Sequence, residues 1–496
     1  MAIENINGIA DAVAPELEAN LVKLPPEALV EGVTELDDGS AIVGEMQMEA
    51  EAPIAIPFDA NLAEHIDEDV LSEISNEIIG NIEDDTNSRS DWEEQYKGGL
   101  ELLGMSYEDR SEPFEGASGI VHPLLAESVT QFQAQAYREM LPAGGPVKTA
   151  IIGAETPEVT AQAERVKNYM NYQITYEMEE YDPELDQMLF YLPIVGSAFK
   201  KVYFDPTMQR AVSKFVHSED LIVPYSATDL ATATRVTHCI RMDKNEIKKL
   251  QLSGFYRNID LPSSGADSDG TNDVKDTIND IEGITSSSSQ NEEMMIYEVH
   301  TDLDIEGFED IGADGEPTGL KMPYIVTIME DTGDVLSIKR NFNESDPLRR
   351  KVPYFIHYKF LPGLGFYGFG LTHTIGGLSR ASTSILRQLI DAGTLSNLPA
   401  GFKARGARIP FKEPSQTLYS LMGTLIDSGR RFASMADMKV GEMQGNAPVG
   451  TTMAIMERGT KVMSAIHKRL HYSQKIEFKL LARVFSMGVP MYPYQV

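Results

Sequence analysis

Hydrophobic residues recur at helical spacing in three stretches near the C-terminal end of the chain. They predict helices over Leu371–Asn397 and Gln416–Val440, and a third helix of more than thirty residues that begins at Thr451. A short basic connection, Leu398–Ser415, joins the first two helices, and a glycine-bounded loop, Gly441–Gly450, precedes the third. This layout is poor for a catalytic pocket. It is natural for one subunit of a ring whose loop projects towards the ring axis.

The chain ahead of these helices predicts a mixed body of helices and strands. Residues 1–60 have little periodicity and are expected to form an acidic, mobile arm. Helical patterning begins at Asn61 and accounts for most of the chain up to residue 195. Strand-like segments follow at 197–205, 210–217, 233–242, 294–305, 324–331, 335–342 and 352–362. Residues 262–292 are rich in Ser, Asp and Gly and are expected to form a disordered or loosely held loop. The predicted fold class is α+β with an all-helical end.

Composition excludes several classes of protein. A chain of 496 residues predicts two to four domains, and its 42% apolar and 24% charged residues are ordinary for a globular protein. The single cysteine, Cys239, excludes an internal disulfide framework and a zinc site built from several cysteines. No apolar run is long enough to cross a bilayer, and the acidic N-terminus lacks the features of a signal peptide. We therefore expect a soluble protein of intracellular origin that has no membrane partner.

The net charge of −34 is unevenly distributed along the chain. Residues 1–90 contain 22 Asp or Glu against two basic residues. From Arg380 to the end there are 16 Lys or Arg against 7 Asp or Glu, a net charge of +9, so the first 379 residues carry −43. The asymmetry indicates a negative periphery and a basic element among the C-terminal helices. For the N-terminal arm, simple solubility explains the acidity equally well.

Motifs that carry catalytic or cofactor chemistry fail on their context. The segment GLGFYG at 363–368 matches a dinucleotide-binding pattern, but no βαβ unit surrounds it, so a glycine turn that admits a close subunit neighbour is the better interpretation. His467 and His471 have a metal-ligand spacing on a helix, but no nearby Glu or Cys in the sequence completes a site. Nucleotide-binding, zinc-protease, hydrolase and EF-hand motifs are absent from the sequence. We predict a protein that is not an enzyme, with no catalytic residue, no metal and no cofactor.

Basic residues carry the remaining chemistry. Arg380 and Arg387 are seven residues apart and share one face of the first predicted helix. Further basic residues lie in the connection and on the second helix: Lys403, Arg405, Arg408, Lys412, Arg430 and Arg431. Without a recognition helix or aromatic platform, a nucleic-acid partner would be held through its phosphates, independently of sequence. The alternative is that these residues pair with acidic groups of adjacent subunits. Both interpretations remain open at this point.

Six long segments resemble portal proteins of tailed double-stranded DNA bacteriophages, in the podovirus-type branch. They are NSRSDWEEQYKGGLELLG (87–104), PFEGASGIVHPLLAESVTQFQAQAYREMLPAGGPVK (113–148), LPIVGSAFKKVYFD (192–205), EDLIVPYSATDL (219–230), SILRQLIDAGTLSNLPAGFKARGARI (384–409) and NAPVGTTMAIMERGTKVMSAIHKRLH (446–471). The resemblance covers most of the chain from about Asn61 onward. Because the segments are long, chance agreement is a poor explanation.

The resemblance implies a homo-oligomeric ring, usually dodecameric, at one capsid vertex of the virion, the head–tail junction, assembled in the host cytoplasm. Double-stranded DNA would pass through its channel during genome packaging and ejection. Implied partners are the terminase large subunit, the major capsid protein, and head–tail adaptor and tail proteins. In family terms, residues 61–360 form the wing, 361–397 and 416–440 the stem helices, and 398–415 the clip or stem tip. Residues 441–450 would form the tunnel loop, and 451–496 a long wing helix and the start of a crown.

Within the tunnel loop, Met443, Gln444, Asn446 and Val449 would contact DNA without charge, and Glu442 would repel it. Gly441, Gly445 and Gly450 would allow the loop to move. The energy for translocation would come from a separate ATPase.

The sequence departs from the family at two places. Ile409 runs directly into Pro410 where relatives carry a longer, β-containing clip, so we expect a truncated clip. Family members also continue beyond the apolar ending SMGVPMYPYQV into a crown. The main alternative function is a head–tail adaptor or scaffold ring that does not touch DNA, and a third is a nucleic-acid-processing enzyme with an unrecognised site.

Overall fold

A computed structural model describes the backbone of residues 33–35, 41–43, 56–105, 110–112, 114–206, 208–262, 273–283, 293–311, 316–397, 415–433 and 449–488. It describes their side chains too, except in the first two segments and at 273, 275–276, 397, 431–433, 449–463 and 487–488. The chain divides into two units, Met1–Pro57 and Phe58–Val496. In the first unit, strands β1 (Val33–Glu35) and β2 (Ala41–Val43) pair in antiparallel fashion. The other elements belong to the second unit.

Ten α-helices are described in the second unit. They are α1 (Glu68–Asn87), α2 (Ser90–Glu101), α3 (Leu124–Met140), α4 (Pro157–Tyr172), α5 (Tyr181–Val195), α6 (Lys244–Leu252), α7 (Asp273–Glu282), α8 (Leu371–Asn397), α9 (Gln416–Ala433) and α10 (Val449–Gly488). A 3₁₀ turn at Leu62–Glu64 precedes α1, and a π-helical turn at Gln173–Glu177 follows α4.

The strands of the second unit form two antiparallel sheets. The strands are β3 (Ser197–Asp205), β4 (Arg210–Val216), β5 (Leu221–Ile222), β6 (Arg235–Asp243), β7 (Glu293–Leu303), β8 (Met322–Met329), β9 (Val335–Arg340) and β10 (Phe355–Lys359). The three-stranded sheet has the order β10-β3-β4, and the five-stranded sheet the order β5-β6-β7-β8-β9.

The three-stranded sheet is covered on both faces. One face contributes Ala198, Val202 and Tyr358 to the main core, which α2, α3, α5 and α10 complete. The other face contributes Phe199 and Phe355 to a second cluster with the chain around β5 and β6. Burial on both sides explains why the first four residues of β3 are all buried rather than alternately buried and exposed.

The structure is mixed helix and sheet, which agrees with the predicted α+β class. The bounds of α8 and β3 are those predicted, and the other predicted strands are present with shifted ends. Helix α10 begins at Val449, two residues before the predicted start at Thr451. Pro448 gives the reason in the sequence, because proline is favoured next to the start of a helix, where its missing N–H leaves no bond unmade.

The prediction of disorder for 262–292 is wrong for Asp273–Glu282, which forms α7. Val274 is buried, and Ile278 and Ile281 pack against the main core. These residues repeat at the helical spacing of four and three. The composition of the segment did not reveal this short apolar pattern, because polar residues lie on both sides of it.

A buried ion pair fixes α10 against the three-stranded sheet. Lys200 Nζ lies 3.2 Å from Glu477 Oε1, and both side chains are fully buried. Ser213 donates a hydrogen bond to the same oxygen at 2.6 Å, and Tyr358 donates to the other carboxylate oxygen. The ammonium also lies over the ring of Tyr181, 4.1 Å from its centre. Since a buried charge needs partners, this cluster holds α10 in a single register on the sheet.

A second, partly buried ion pair connects the two sheets. Lys201 of β3 places Nζ 2.7 Å from Glu298 Oε2 on β7, and His300 lies 2.9 Å from the other oxygen. Burial alone would raise the pKa of Glu298, but the positive charge of Lys201 and the hydrogen bond with His300 hold the pKa well below its usual value. Glu298 therefore remains a carboxylate at neutral pH.

Candidate functional site

Helices α8 and α9, which the sequence pattern singled out, lie side by side, and both contact α3. Gly429 of α9 faces Leu124 of α3 so closely that a Cβ at 429 would lie 2.6 Å from Leu124 Cδ2. A side chain at 429 would therefore require the buried side chain of Leu124 to move. The glycine allows α9 and α3 to come close at this point.

Helix α8 anchors the extended segment that leads into α3. Arg387 donates from Nε to the carbonyl oxygen of Ile120 at 2.8 Å and from Nη2 to that of Gly119 at 3.2 Å. Asp391 accepts the backbone N–H of Ser118 at 2.8 Å. These bonds give partners to backbone groups that lie outside any strand or helix. Arg387 therefore has a structural role within the chain.

Arg380 and Arg387 line one cleft on the surface of α8. The cleft has a volume of about 440 Å³, and its lining residues are Glu101, Leu102, Arg110, Val121, Arg380, Thr383, Ser384, Arg387, Gln388 and Asp391. Three arginines and two carboxylates give its walls a net charge of +1 in a chain of −34. Arg380 is exposed, and guanidinium groups grouped in this way can bind an anionic oxygen.

Arg430 of α9 has a carboxylate partner within its own chain. Its Nη2 lies 3.1 Å from Glu127 Oε2 on α3, and both side chains remain more than a third exposed. Nearby, His122 donates its backbone N–H to Thr383 Oγ1 at 3.0 Å. Burial, and then the charge of Arg430, lowers the pKa of His122. The imidazole is therefore neutral at pH 7 and adds no positive charge here.

Most of the other predicted site residues lie outside the described part of the chain. They are Lys403, Arg405, Arg408, Lys412, Glu442, Met443, Gln444 and Asn446. Arg431 and Val449 lie in α9 and α10, and their side chains are not described. Val449 was predicted in the tunnel loop, and the structure places it in the first turn of α10.

Gly368 of GLGFYG, and Gly370 just after it, serve a close approach within the chain, and a contact of this turn with a second subunit stays a prediction. A Cβ at Gly368 would clash with the carbonyl oxygen of Gly196, and one at Gly370 with that of Ile194. Gly196 itself has a φ of 94° and ends α5. The turn therefore lets the start of α8 lie directly against the junction of α5 and β3.

Sequence reasoning missed Arg110 and Glu101, which share the cleft with the two predicted arginines. Arg110 lies about 270 residues from Arg380 in the chain, in a segment without periodicity. It missed the buried Arg89 as well. That side chain donates to the carbonyl oxygens of Ser218, Glu219 and Leu221 and ties the start of α2 to the β4–β5 connection.

The described residues contain neither a group of metal ligands nor a membrane span. Within those ranges, no three His, Cys, Asp or Glu side chains are grouped closely enough to hold a metal ion. His467 is instead paired with Glu139, with Nδ1 2.7 Å from Oε2. None of the described helices has the length and apolar character that a membrane span requires.

The chain was compared with known protein families. Residues 200–408 match the family described as phage SU10 portal protein. The match supports a phage portal protein. It runs from β3 through both sheets and α8 into the basic connection, and it includes Arg380, Arg387, Lys403, Arg405 and Arg408. No curated protein matches the chain.

Proposed function

We propose that the chain is the subunit of a portal ring, dodecameric by the resemblance, which occupies one capsid vertex at the head–tail junction and forms the channel for double-stranded DNA. The observation that carries the proposal is the portal-family match over residues 200–408, which ends just beyond α8 and contains its arginines. The family is structural, so the proposed role is a channel and docking platform rather than an enzyme.

The described elements can be assigned to parts of such a subunit. Helices α8 and α9 would be the stem, the two sheets with α1 to α7 the wing, and α10 the long wing helix. Residues 398–415 would form a short clip or stem tip, and 441–448 the tunnel loop, since α10 begins at Val449. Residues 1–60 would be an acidic arm, and the chain beyond α10 the start of a crown.

The proposed partners follow from this role. The terminase large subunit would dock during packaging, the major capsid protein would surround the ring, and adaptor and tail proteins would bind it afterwards. Assembly would take place in the host cytoplasm before the ring enters the virion.

DNA must slide through the channel, so contacts to its phosphates should be few and weak. Arg380 is the best described candidate, because it is exposed and lies in a cleft of net positive charge. Each phosphate contact that is lost lowers the dependence of DNA affinity on salt by roughly one unit of logarithmic slope.

The first experiment measures assembly. Native mass spectrometry and electron microscopy of the purified chain should find rings of about twelve copies with an open axial hole. A monomer or dimer under all conditions would contradict the proposal.

The second experiment measures binding of duplex DNA by assembled rings between low and moderate salt. Arg380→Ala rings should bind more weakly and with a smaller salt slope. The matched control is Arg350→Ala, an exposed arginine outside the stem, which should leave both values unchanged. If Arg380→Ala and wild-type rings bind alike, Arg380 is not a phosphate contact.

One observation favours a second candidate, an adaptor or scaffold ring without DNA contact. Arg387 is bonded to carbonyl oxygens and Arg430 to Glu127, so part of the basic charge of the stem is already used within the chain. Such a ring would assemble normally but would bind duplex DNA only weakly, because the chain as a whole is acidic. The second experiment therefore separates the two functions.

A further inference from the structure

Helix α10 presents a basic face to solvent, which is unusual in a chain with a net charge of −34. Lys468, Lys475 and Lys479 are all exposed, and they lie on one side of the helix. Among the described residues, none of these three lysines has an ion-pair partner. Between them, Tyr472 is 67% exposed. The opposite side of α10 is committed to the core through Leu470, Glu477 and Leu481.

Helix α1 presents the complementary acidic face. Glu73, Glu77 and Asp84 are exposed on one side, and within the described ranges none of the three has a basic partner. The other side is buried against the five-stranded sheet, where Asp85 pairs with Arg235 at 2.7 Å. Both helices are therefore held with their charged faces outward.

The spacing of the two sets of charges matches when the helices run antiparallel. Along α10 the lysines are separated by seven and then four residues, and along α1 the carboxylates are separated by four and then seven. Each set spans eleven residues, or about 16 Å at 1.5 Å per residue. Asp84 then lies opposite Lys468, Glu77 opposite Lys475 and Glu73 opposite Lys479.

The same alignment places Tyr472 opposite Gly80. Gly80 is exposed in the middle of α1, where glycine is less favourable than alanine. A Cβ at this position would meet nothing within 4 Å in its own chain, so internal packing does not require glycine here. An exposed tyrosine facing a residue without a side chain is the arrangement by which a large side chain enters a hollow on a partner.

We propose that the α10 face (Lys468, Tyr472, Lys475 and Lys479) docks on the α1 face (Glu73, Glu77, Gly80 and Asp84) of a second copy of this chain. The proposal rests on the portal-ring function above and names one of its subunit contacts. Every copy carries both faces, so the contact is head-to-tail and repeats around a ring until the ring closes. Exposed ion pairs are individually weak, so the charges set register and direction while Tyr472 supplies the buried contact.

The test reverses each face separately. The basic-face variant is Lys468→Glu/Lys475→Glu/Lys479→Glu, and the acidic-face variant is Glu73→Lys/Glu77→Lys/Asp84→Lys. Neither should form rings alone, as measured by native mass spectrometry at low salt. A mixture of the two should form rings in which the variants alternate, because every α10 face then meets an α1 face of opposite charge. Such rings have an even number of copies and a one-to-one composition.

Two matched controls change the same number of charges elsewhere. Arg241→Glu/Lys248→Glu/Lys249→Glu alters exposed basic residues of β6 and α6, and Glu155→Lys/Glu158→Lys/Glu164→Lys alters exposed acidic residues at α4. Both controls should form rings. Gly80→Trp should prevent assembly, and Gly80→Ala should reduce assembly less.

The outcomes separate the inference from the proposed function. If the wild-type chain forms no ring, the portal-ring function fails. If the wild-type chain and both face variants form rings, the function stands and the inferred contact is wrong. The contact is also wrong if both variants are folded by circular dichroism yet fail to assemble when mixed. If the basic-face variant forms rings that bind DNA more weakly, the lysines contact DNA rather than a second copy.

Discussion

Lys200 and Glu477 form an ion pair that is enclosed in the core. Both side chains are fully buried, and the carboxylate also accepts hydrogen bonds from Ser213 and Tyr358. Breaking one half of such a pair leaves an uncompensated buried charge, whereas replacing both halves by apolar residues removes the need for compensation.

We therefore expect Lys200→Met to destabilise the chain by roughly 3–5 kcal/mol. Lys200→Met/Glu477→Leu should recover a large part of that loss. Urea unfolding of both variants and of Glu477→Leu gives the coupling free energy. A double variant whose destabilisation equals the sum of the two single values would contradict this account.

Glu298 predicts a specific dependence of stability on pH. Its folded-state pKa lies well below its value in the unfolded chain, so it contributes stability that is present above about pH 4.5. That contribution is lost as the pH falls through the folded-state pKa. In urea unfolding between pH 7 and pH 3, Glu298→Gln should lose less stability on acidification than the wild-type chain does.

The control for this experiment is Glu316→Gln, which removes an exposed carboxyl group and should preserve the wild-type pH dependence. If Glu298→Gln responds to pH as the wild-type chain does, the carboxylate does not carry this linkage.

Neither of these charge clusters could be predicted from the sequence. The pattern SAFKKVYFD identifies β3 but does not say which of its two lysines is buried. The partner of Lys200 lies 277 residues away on α10, and the partner of Lys201 lies 97 residues away on β7. Local pattern contains no information about such distant pairs, and net charge conceals them because each pair sums to zero.

At the scale of elements, prediction succeeded where periodicity was long and its ends were marked by particular residues. The 27 residues of α8 repeat regularly, and Gly370 precedes them, so both bounds were predicted. Prediction failed at α7, whose ten residues contain only three apolar positions. The sequence also did not reveal that Gly368 and Gly370 come close to the junction of α5 and β3, because that junction lies far away in the sequence.

Helix α7 offers a direct test of the corrected assignment. Ile278→Asp places a charge against the main core and should weaken α7 by roughly 1–3 kcal/mol. Hydrogen exchange at residues 273–282 should accelerate more than exchange in β3 or α5. Asp280→Asn, at an exposed position of the same helix, is the control and should leave exchange unchanged. Equal exchange in Ile278→Asp and wild-type chains would show that α7 is not held by this contact.

For the whole molecule, the distribution of charge matters more than its total. The basic C-terminal part was recognised from composition, and the spacing of Arg380 and Arg387 placed them together. The rest of the cleft could not be predicted, because Arg110 and Glu101 reach it from distant parts of the chain. Nearly all of the predicted clip and tunnel loop lies outside the described residues, so their roles stay predictions.

If α10 docks on α1 of the next copy, the subunit contact should have two components. Salt should weaken one of them and leave the other unchanged. Raising the salt concentration from 0.1 M to 1 M shortens the range of electrostatic interactions from about 10 Å to about 3 Å, which weakens exposed ion pairs. The contact between Tyr472 and Gly80 buries apolar surface and is not screened.

Wild-type rings should therefore loosen only partly at 1 M salt, whereas Tyr472→Ala rings, which form at low salt, should dissociate. Mass photometry at both salt concentrations measures the fraction of copies in rings. Tyr225→Ala is the control, because Tyr225 is 87% exposed and lies outside both helices. If Tyr472→Ala rings are as resistant to salt as wild-type rings, the tyrosine is not at the subunit contact. The proposed contact between α1 and α10 would then lack its apolar component.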